Sequence, residues 1–482
     1  MPQIDPLRSA FTQADYTADG VLERIGELGQ EGLGRNMTVP ADAALGEARD
    51  PLASLIRLFI LQQEIPAEDV AFLGTAAAGL MEVAGDRARA LVDVRPYGSP
   101  DDGASGWIVS DLTPGMDGET SPTRPDYVLG VSPASTTLAQ LTMRTPFEDV
   151  LDLGTGCGVQ SLHLAQHSSR VVATDVNERA LELARHSAEL TDVAVDFRSG
   201  SLFEPVAGEQ FDLIVSNPPY VMSPPTEERL TYRETNFEGD GLLRAILEQA
   251  SDHLKPGGHL QLLTNWAVID GEWEDRIRGW ASSLDLWVIE RERLDKFSYI
   301  EMWLTDAGLA GTPEWRPAYT RWLEYFETLG IDEVGMGWIL ATRAERETPH
   351  VRFESWPYAV QQPVGHVFAQ HRAAVDAAQL PLEELLASRP KLVDVEQETI
   401  GAPGAEDPAH IVFRQTTGLR RGLKADTALA AVLGALDGDL TVGQVIGAVA
   451  SLLDLDMNEL AAELLPKVRE ALEEQYLIMR EV

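Results

Sequence analysis

The stretch that decides the fold is Asp149-Val150-Leu151-Asp152-Leu153-Gly154-Thr155-Gly156-Cys157-Gly158-Val159. An apolar run of strand character ends in alternating glycines, and a helical pattern opens at Gln160–Ala165. Such a turn lets a ligand approach bare backbone while facing the positive end of the following helix. The next strand-like run, Val171-Val172-Ala173-Thr174-Asp175, ends in an acid 21 positions after Gly154. That is close to the ~20-residue spacing of an acid that grips ribose hydroxyls. A ligand-free glycine turn is the plain alternative, and the paired acid weighs against it. A dinucleotide fingerprint fits poorly, because its third glycine would fall on Val159.

Outward from this turn, short apolar runs alternate with helical stretches between Val131 and Arg343. Candidate strands are Asp149–Leu153, Val171–Asp175, Ala194–Arg198, Leu213–Ser216, His259–Thr264, Leu286–Arg291 and Gly337–Thr342. Helices between most of them imply βαβ crossovers and a largely parallel, doubly wound seven-stranded sheet, an α/β domain of Rossmann-like form. The spacing places this domain at 131–345.

Residues 1–90 read as a helical N-terminal domain, with apolar stripes over Pro51–Gln63 and Asp69–Val83. Residues 91–130 read as a β-hairpin (LVDVRPYG and GWIVSDL) and a connecting loop rich in Pro, Gly and Thr over Thr113–Pro125. Residues 346–482 read as an α+β C-terminal domain, for which a winged-helix-like module is one of the readings. Its strands are Lys391–Thr399 and His410–Gln415, around a Gly/Pro/Ala loop, and its helices Asp426–Leu436, Val442–Leu453 and Met457–Tyr476. Thr441 and Asp456 stand where N-caps belong.

Composition narrows the function. The 482 residues carry 77 acids and 38 Lys plus Arg, a formal net charge of −39, and such a chain repels phosphate backbones before local contact forms. One cysteine excludes an internal disulfide framework and thiolate metal sites. The start, Met1-Pro2-Gln3-Ile4-Asp5, has no signal-peptide character, and no apolar run approaches 18 residues, so a cytoplasmic protein with no membrane partner is expected.

The chemistry lies after the fourth candidate strand, where Phe211-Asp-Leu-Ile-Val-Ser216 runs into Asn217-Pro218-Pro219-Tyr220. Ligands of open α/β sheets bind at strand carboxyl ends, where this motif and the glycine turn both fall. Two prolines fix an extended turn, holding the Asn217 side chain and the Pro218 carbonyl as two acceptors for the two hydrogens of a planar NH₂. Bonding both hydrogens aims the nitrogen lone pair at a methyl donor, and Tyr220 offers a flat face. A strand-terminating Pro-Pro turn is the bland reading; its position beside the glycine turn favours function.

The glycine stretch resembles motif I of the class I S-adenosylmethionine-dependent methyltransferases, and Asn217–Tyr220 resembles their amino-group branch. The run Asn217-Pro-Pro-Tyr-Val-Met-Ser-Pro-Pro225, with Phe237-Glu-Gly-Asp-Gly-Leu-Leu and Leu254-Lys-Pro-Gly-Gly-His-Leu, is similar to the HemK-like release-factor glutamine methyltransferases. The resemblance implies S-adenosylmethionine as cofactor, held by Asp152, Gly154, Thr155, Gly156, Gly158, Asp175, Ser201, Leu202 and Asn217. It implies Asn217, Pro218 and Tyr220 as the catalytic set, and no metal. The implied reaction is methyl transfer to a glutamine side chain of a protein such as a release factor. The alternatives are an exocyclic amine of adenine or guanine in RNA or DNA, or an inactive cofactor-binding scaffold. One departure stands out: the family's acid at the end of strand three is replaced by Ser199-Gly200-Ser201-Leu202, leaving the adenine contact to a weaker group or to Glu204.

Other groups read more blandly. His163 and His167, spaced i, i+4, lack an evident third metal ligand. The aromatic run Trp315, Tyr319, Trp322, Tyr325 and Phe326 suits a core-facing helix. The basic stretch Arg414, Arg420, Arg421 and Lys424 could grip phosphates, but residues 426–482 carry 11 acids against 3 Lys plus Arg, which favours a docking or structural role.

Overall fold

Four helices open the chain in the computed structural model: α1 (Ile4–Gln13), α2 (Ala18–Leu33), α3 (Val39–Leu45) and α4 (Pro51–Leu55), which runs into a π-helical turn over Ile56–Ile60. The structure describes residues 4–75, 77–119, 123–225, 237–403 and 410–479. Parts of the Thr113–Pro125 loop and of the Gly/Pro/Ala loop before His410 lie outside the described residues. The helix expected over Asp69–Val83 does not form. A 3₁₀ turn over Ala67–Leu73 ends at Gly74, and the chain then makes strands β2 (Met81–Ala84) and β3 (Arg87–Ala90), with β1 (Ile65–Pro66) on the other edge of β3. Gly74 (φ 51°) and Gly79 (φ 91°) take positive φ, which L side chains rarely adopt and which interrupts a helix, and apolar spacing alone does not register it. The expected hairpin is present as β4 (Asp93–Gly98) paired antiparallel with β5 (Ser105–Ser110).

After α5 (Pro133–Leu141) the alternating region builds the central sheet. In chain order it comprises β6 (Phe147–Leu153), α6 (Val159–Leu164), β7 (Ser168–Asp175), α7 (Glu178–Thr191), β8 (Asp196–Ser199), β9 (Phe211–Ser216), α8 (Gly241–His253) and β10 (Leu254–Val268). It continues with α9 (Glu274–Trp280), β11 (Asp285–Asp295), α10 (Lys296–Asp306), α11 (Trp315–Leu329), β12 (Glu333–Thr342) and β13 (Val351–Ser355). Among the described residues the strand order is β13-β11-β12-β10-β9-β6-β7-β8. The β6, β7, β8, β9 and β10 pairings are parallel, and β12 runs antiparallel between β10 and β11.

Each of the seven expected strands lies within or overlaps an observed one, but the sheet has an eighth. β13 adds to β11 in parallel, extending the sheet past the expected limit of 345. Val351-Arg352-Phe353-Glu354-Ser355 is a short edge strand with alternating polar residues, and it carries no apolar run to announce it.

The chain divides into two units, one of 1–139 with 146–356 and the other of 140–145 with 357–482. In the first, the N-terminal helices and hairpin share one hydrophobic core with the sheet's helices: Leu7, Phe11, Phe59 and Val94 belong to the same buried cluster as Leu162, Leu183 and Leu190. Tyr16 donates to the Val94 carbonyl at 2.6 Å, and Trp107 donates to the Tyr16 carbonyl at 2.7 Å. A continuous core therefore crosses the limits expected at 90 and 130.

The second unit holds α12 (Gly365–Ala378), α13 (Leu382–Ala387), β14 (Pro390–Leu392), β15 (Val395–Ile400), β16 (His410–Gln415) and β17 (Gly422–Ala425). Helices α14 (Thr427–Ala435), α15 (Val442–Leu453) and α16 (Met457–Glu473) and strand β18 (Leu477–Met479) complete it. The single strand expected over Lys391–Thr399 is broken where Asp394 takes φ 48°, so β14 pairs with β18 and β15 with β16. Thr441 and Gln444 form a reciprocal capping box, and Asp456 accepts from the backbone of Asn458 and Glu459. The basic stretch is partly neutralised: Arg414 pairs with Glu398 at 2.9 Å, and buried Arg421 lies 3.6 Å from Glu474. Among the described residues no helix is long and apolar enough to cross a membrane.

Candidate active site

The carboxyl ends of β6, β7 and β9 open onto a cavity of about 550 Å³, within the range typical of small-molecule sites. The glycine turn forms its floor. Gly154 (φ 79°), Gly156 (φ 55°) and Gly158 (φ 87°) all adopt backbone conformations that L side chains rarely take. Their surroundings differ. A Cβ on Gly154 or Gly156 would meet nothing within 4 Å, whereas one on Gly158 would lie 3.2 Å from the Ala184 Cβ of α7. The first two glycines present open backbone, and the third lets α6 pack on α7.

Asp152 sits beneath the turn rather than at the cavity wall. It is 1% exposed, and its Oδ2 accepts from Thr155 Oγ1 at 2.6 Å and Ser161 Oγ at 2.7 Å. Burial pushes its carboxyl up to about 6, against the lowering effect of those two hydroxyls. Its position makes it a brace of the turn, with Thr155 as its partner, not a ligand contact. Cys157, also buried, lines the cavity, and burial pushes its thiol up to about 11.

Asp175 ends β7 at the cavity. Its Oδ2 accepts the Gly156 N–H at 3.0 Å and its Oδ1 the Asn177 N–H at 2.8 Å. Burial raises its carboxyl above the usual range, while these two amides oppose the shift. Ser201 and Leu202 line the cavity after β8, whereas Glu204 is not among the lining residues. The neutral Ser201–Leu202 turn thus stands where an acid was expected, and Glu204 does not replace it.

Asn217, Pro218 and Pro219 line the same cavity after β9. The Asn217 Oδ1 is buried and has no hydrogen-bond partner among the described residues. A buried acceptor left unpaired costs free energy, and at a cavity wall it marks a place for an incoming donor. Tyr220 is not among the lining residues. Its ring meets Trp303 edge-on at 6.3 Å, and it packs with the aromatic cluster of α10 and α11. The Tyr299 hydroxyl accepts from Met222 N at 3.1 Å and from Asn265 Nδ2 at 3.0 Å, fixing the backbone just past Tyr220. The aromatic run on α11 turns Trp322 and Phe326 into that core. Tyr325 is not among the lining residues, and its hydroxyl accepts the Gly239 N–H at 2.9 Å. Asp240, next along, is held by Ala267 N and Arg276.

Several lining residues were not foreseen, among them Ser135, Gln160 and Ile246. Residues 127–130 form a wall before α5, and Asn177 joins the floor. Asn177 carries a legible signal, an Asn two places after a strand-end acid, where an N-cap is expected. The wall carries none. His163 is held by protein partners: its Nδ1 lies 2.7 Å from Asp102 Oδ2 and its Nε2 2.6 Å from the Tyr97 hydroxyl.

The residues fit the nucleoside cofactor implied by the motifs, with bare glycine backbone facing open space, the Asp175 carboxylate at the cavity wall and a cavity of the right scale. Read in β8-to-β11 direction, the sheet places the first strand centrally, flanked by the second and fourth, and inserts the last strand antiparallel. With a glycine turn and acid at the strand ends, this defines a class I methyltransferase domain, the class that uses S-adenosylmethionine. Residues 130–269 match the family described as Methyltransferase small domain, and residues 13–91 match a Domain of unknown function, DUF7059. The chain is 42% identical over 130 residues to a release factor glutamine methyltransferase of Xylella fastidiosa, covering 24% of this chain and 46% of that protein. It is 38% identical over 156 residues to the enzyme of the same name from Yersinia pestis, covering 30% and 54%. The chain thus spans about half the length of these curated relatives. Among solved structures, a methyltransferase from Pyrococcus furiosus aligns with a TM-score of 0.29 at 20% identity, over 47% of this chain and 87% of that one.

Proposed function

We propose that this chain transfers a methyl group from S-adenosylmethionine to the planar NH₂ of a glutamine side chain in a protein. The observation that carries the reading is the buried, unpartnered Oδ1 of Asn217 at the wall of the cavity. Bound there, S-adenosylmethionine supplies an electrophilic methyl on its sulfonium. The protein's part is orientation: Asn217 Oδ1 and the Pro218 carbonyl accept the two amide hydrogens, turning the nitrogen lone pair toward the methyl. Asp175 holds ribose hydroxyls, and the glycine turn accommodates the methionine end.

Three things support a protein glutamine over a nucleic-acid amine. The relatives that match carry that activity in their names. Tyr220 packs on Trp303 instead of offering a stacking face inside the cavity. The net charge of −39 opposes phosphate binding. The test is tritiated methyl transfer into fractionated lysate by the wild-type chain and Asn217→Ala. Label in protein that is lost in the variant supports the reading. Label in RNA or DNA moves the substrate to a base amine, and no label with intact cofactor binding makes the chain a scaffold.

A further inference from the structure

The cavity wall at 127–130 lies just ahead of, and only touches, the segment that matches the methyltransferase family, which starts at 130. What holds that wall is a compact set of bonds from β5 and α7. Asp111, the residue after β5, is 8% exposed. Its backbone N–H donates to the Val128 carbonyl at 3.1 Å, and its Oδ2 accepts the Val128 N–H at 2.9 Å. Its other oxygen, Oδ1, takes Arg179 Nη2 at 3.0 Å and Nε at 3.3 Å. Asn177 closes the loop. Its Oδ1 caps α7 through Arg179 N at 3.0 Å, its Nδ2 donates to the Asp126 carbonyl at 2.9 Å, and its own N–H donates to Asp175. The approach is close throughout, since a Cβ on Gly130 would come within 2.9 Å of Ser110 Oγ.

We infer that Asp111 and Arg179 are positioning residues of the cofactor cavity. They fix the 127–130 wall at one distance from Asp175, so that the segment following the hairpin completes the binding site. The inference rests on the reading that the cavity takes S-adenosylmethionine. The hairpin is itself seated on the domain: Ser187 Oγ of α7 accepts the Val109 N–H at 2.9 Å, and Asp102 and Tyr97 bracket His163 of α6. Both helices that follow the ligand-facing turns are therefore gripped by the same two strands. Without Asp111, the Val128 N–H loses its carboxylate acceptor and, among the described residues, the Arg179 guanidinium keeps only its bond to Glu182 at 3.0 Å; without Arg179, Asp111 Oδ1 loses its cation.

The experiment measures S-adenosylhomocysteine affinity by calorimetry, melting temperature, and hydrogen exchange across 126–130. The full chain is compared with Asp111→Ala, Arg179→Ala, their double variant and the milder Arg179→Lys. Arg343→Ala serves as a control, losing bonds to the Leu254 and Ser251 carbonyls away from the cavity. Each single alanine variant is expected to weaken binding roughly tenfold or more, from the loss of a charge-assisted bond. The double variant should be no worse than the weaker single, because both act through one wall. Arg179→Lys should retain part of the affinity, exchange at Val128 should quicken, and Arg343→Ala should leave affinity unchanged. Wild-type affinity in Asp111→Ala despite faster exchange at Val128 overturns the inference. So does an equal loss of affinity in Arg343→Ala, which would make the effect one of general stability. Should Asp111→Ala fail to fold, Arg179→Lys with unaltered affinity overturns it alone. A wild-type chain that binds no S-adenosylhomocysteine instead removes the cofactor reading itself.

Discussion

Asp175 and Gly156 are joined by a 3.0 Å hydrogen bond from the glycine's N–H to the carboxylate Oδ2. The acid that ends β7 therefore cross-links the turn that ends β6, in addition to facing the cavity. On the proposed reading, one side chain would set the ribose site and the shape of the methionine site together. Asp175→Ala is expected to weaken S-adenosylmethionine binding by about 1.5–3 kcal/mol, or roughly 10- to 150-fold. Asp175→Asn, which keeps an acceptor for Gly156, should recover part of that loss. Calorimetry at wild-type affinity for both would remove Asp175 from the site.

Asn217→Ala removes the unpartnered acceptor but leaves the glycine turn and Asp175 in place. Cofactor affinity should change little, while methyl transfer falls by roughly 10²–10³, the usual cost of losing one preorganised group at a reacting centre. Asn217→Asp keeps an acceptor oxygen and should retain more activity than alanine. Equal turnover by alanine and wild type would leave the Asn-Pro-Pro-Tyr turn a structural feature only.

The braced acid under the turn gives a pH signature. Asp152 has its carboxyl raised to about 6, against an ordinary value of 3.8 for the unfolded chain. Because the folded state binds the proton more tightly, this group's contribution is fully present below pH 3.8 and is lost as pH rises through 6. A shift of that size corresponds to about 3 kcal/mol. Melting curves should show a falling stability slope across this window that Asp152→Asn flattens. An unchanged slope in the variant would assign the titration elsewhere.

Strand-edge charges predict the opposite slope at lower pH. Lys255 bridges Asp149 at 2.7 Å and Asp212 at 2.9 Å, and its hydrogen bond holds the Asp149 carboxyl below its usual range. A lowered folded value stabilises above the unfolded one and is lost as pH falls through it. Lys255→Met should therefore lose more stability at pH 7 than at pH 3, by up to about 1 kcal/mol given the partial exposure. A pH-independent loss, read from denaturant midpoints, would reduce Lys255 to a packing role.

Cys157, 4% exposed with its thiol raised to about 11, is expected to be unreactive toward Ellman's reagent at pH 8 until the chain is unfolded. Rapid labelling of the native protein would show that reagent reaches the thiol through the cavity that Cys157 lines.

Much of the site was legible because its chemistry is local in sequence. Gly154, Gly156, Gly158 and Asp175 follow from a strand-turn-helix unit and one crossover, and Asn217–Pro219 from a strand running into prolines. Asp152 and Tyr220 were legible as motif positions but not in their placement. Asp152 turns under the loop toward Thr155 and Ser161, and Tyr220 turns toward Trp303 on a helix some eighty residues later. Which way a side chain points depends on partners that no local pattern names.

The sequence by itself determined the strand-helix alternation, the strand-end location of the glycine turn and of Asn217, and the buried character of the only cysteine's neighbourhood. Apolar period, glycine and proline carry those features over a few residues. The tertiary structure alone decided that β13 joins the sheet, that the N-terminal hairpin shares a core with α6 and α7, and that Asp111, 68 positions from Arg179, locks the 127–130 wall. These depend on non-local pairing, in which an edge strand or a buried acid is defined by what packs against it and not by its own neighbours in the chain.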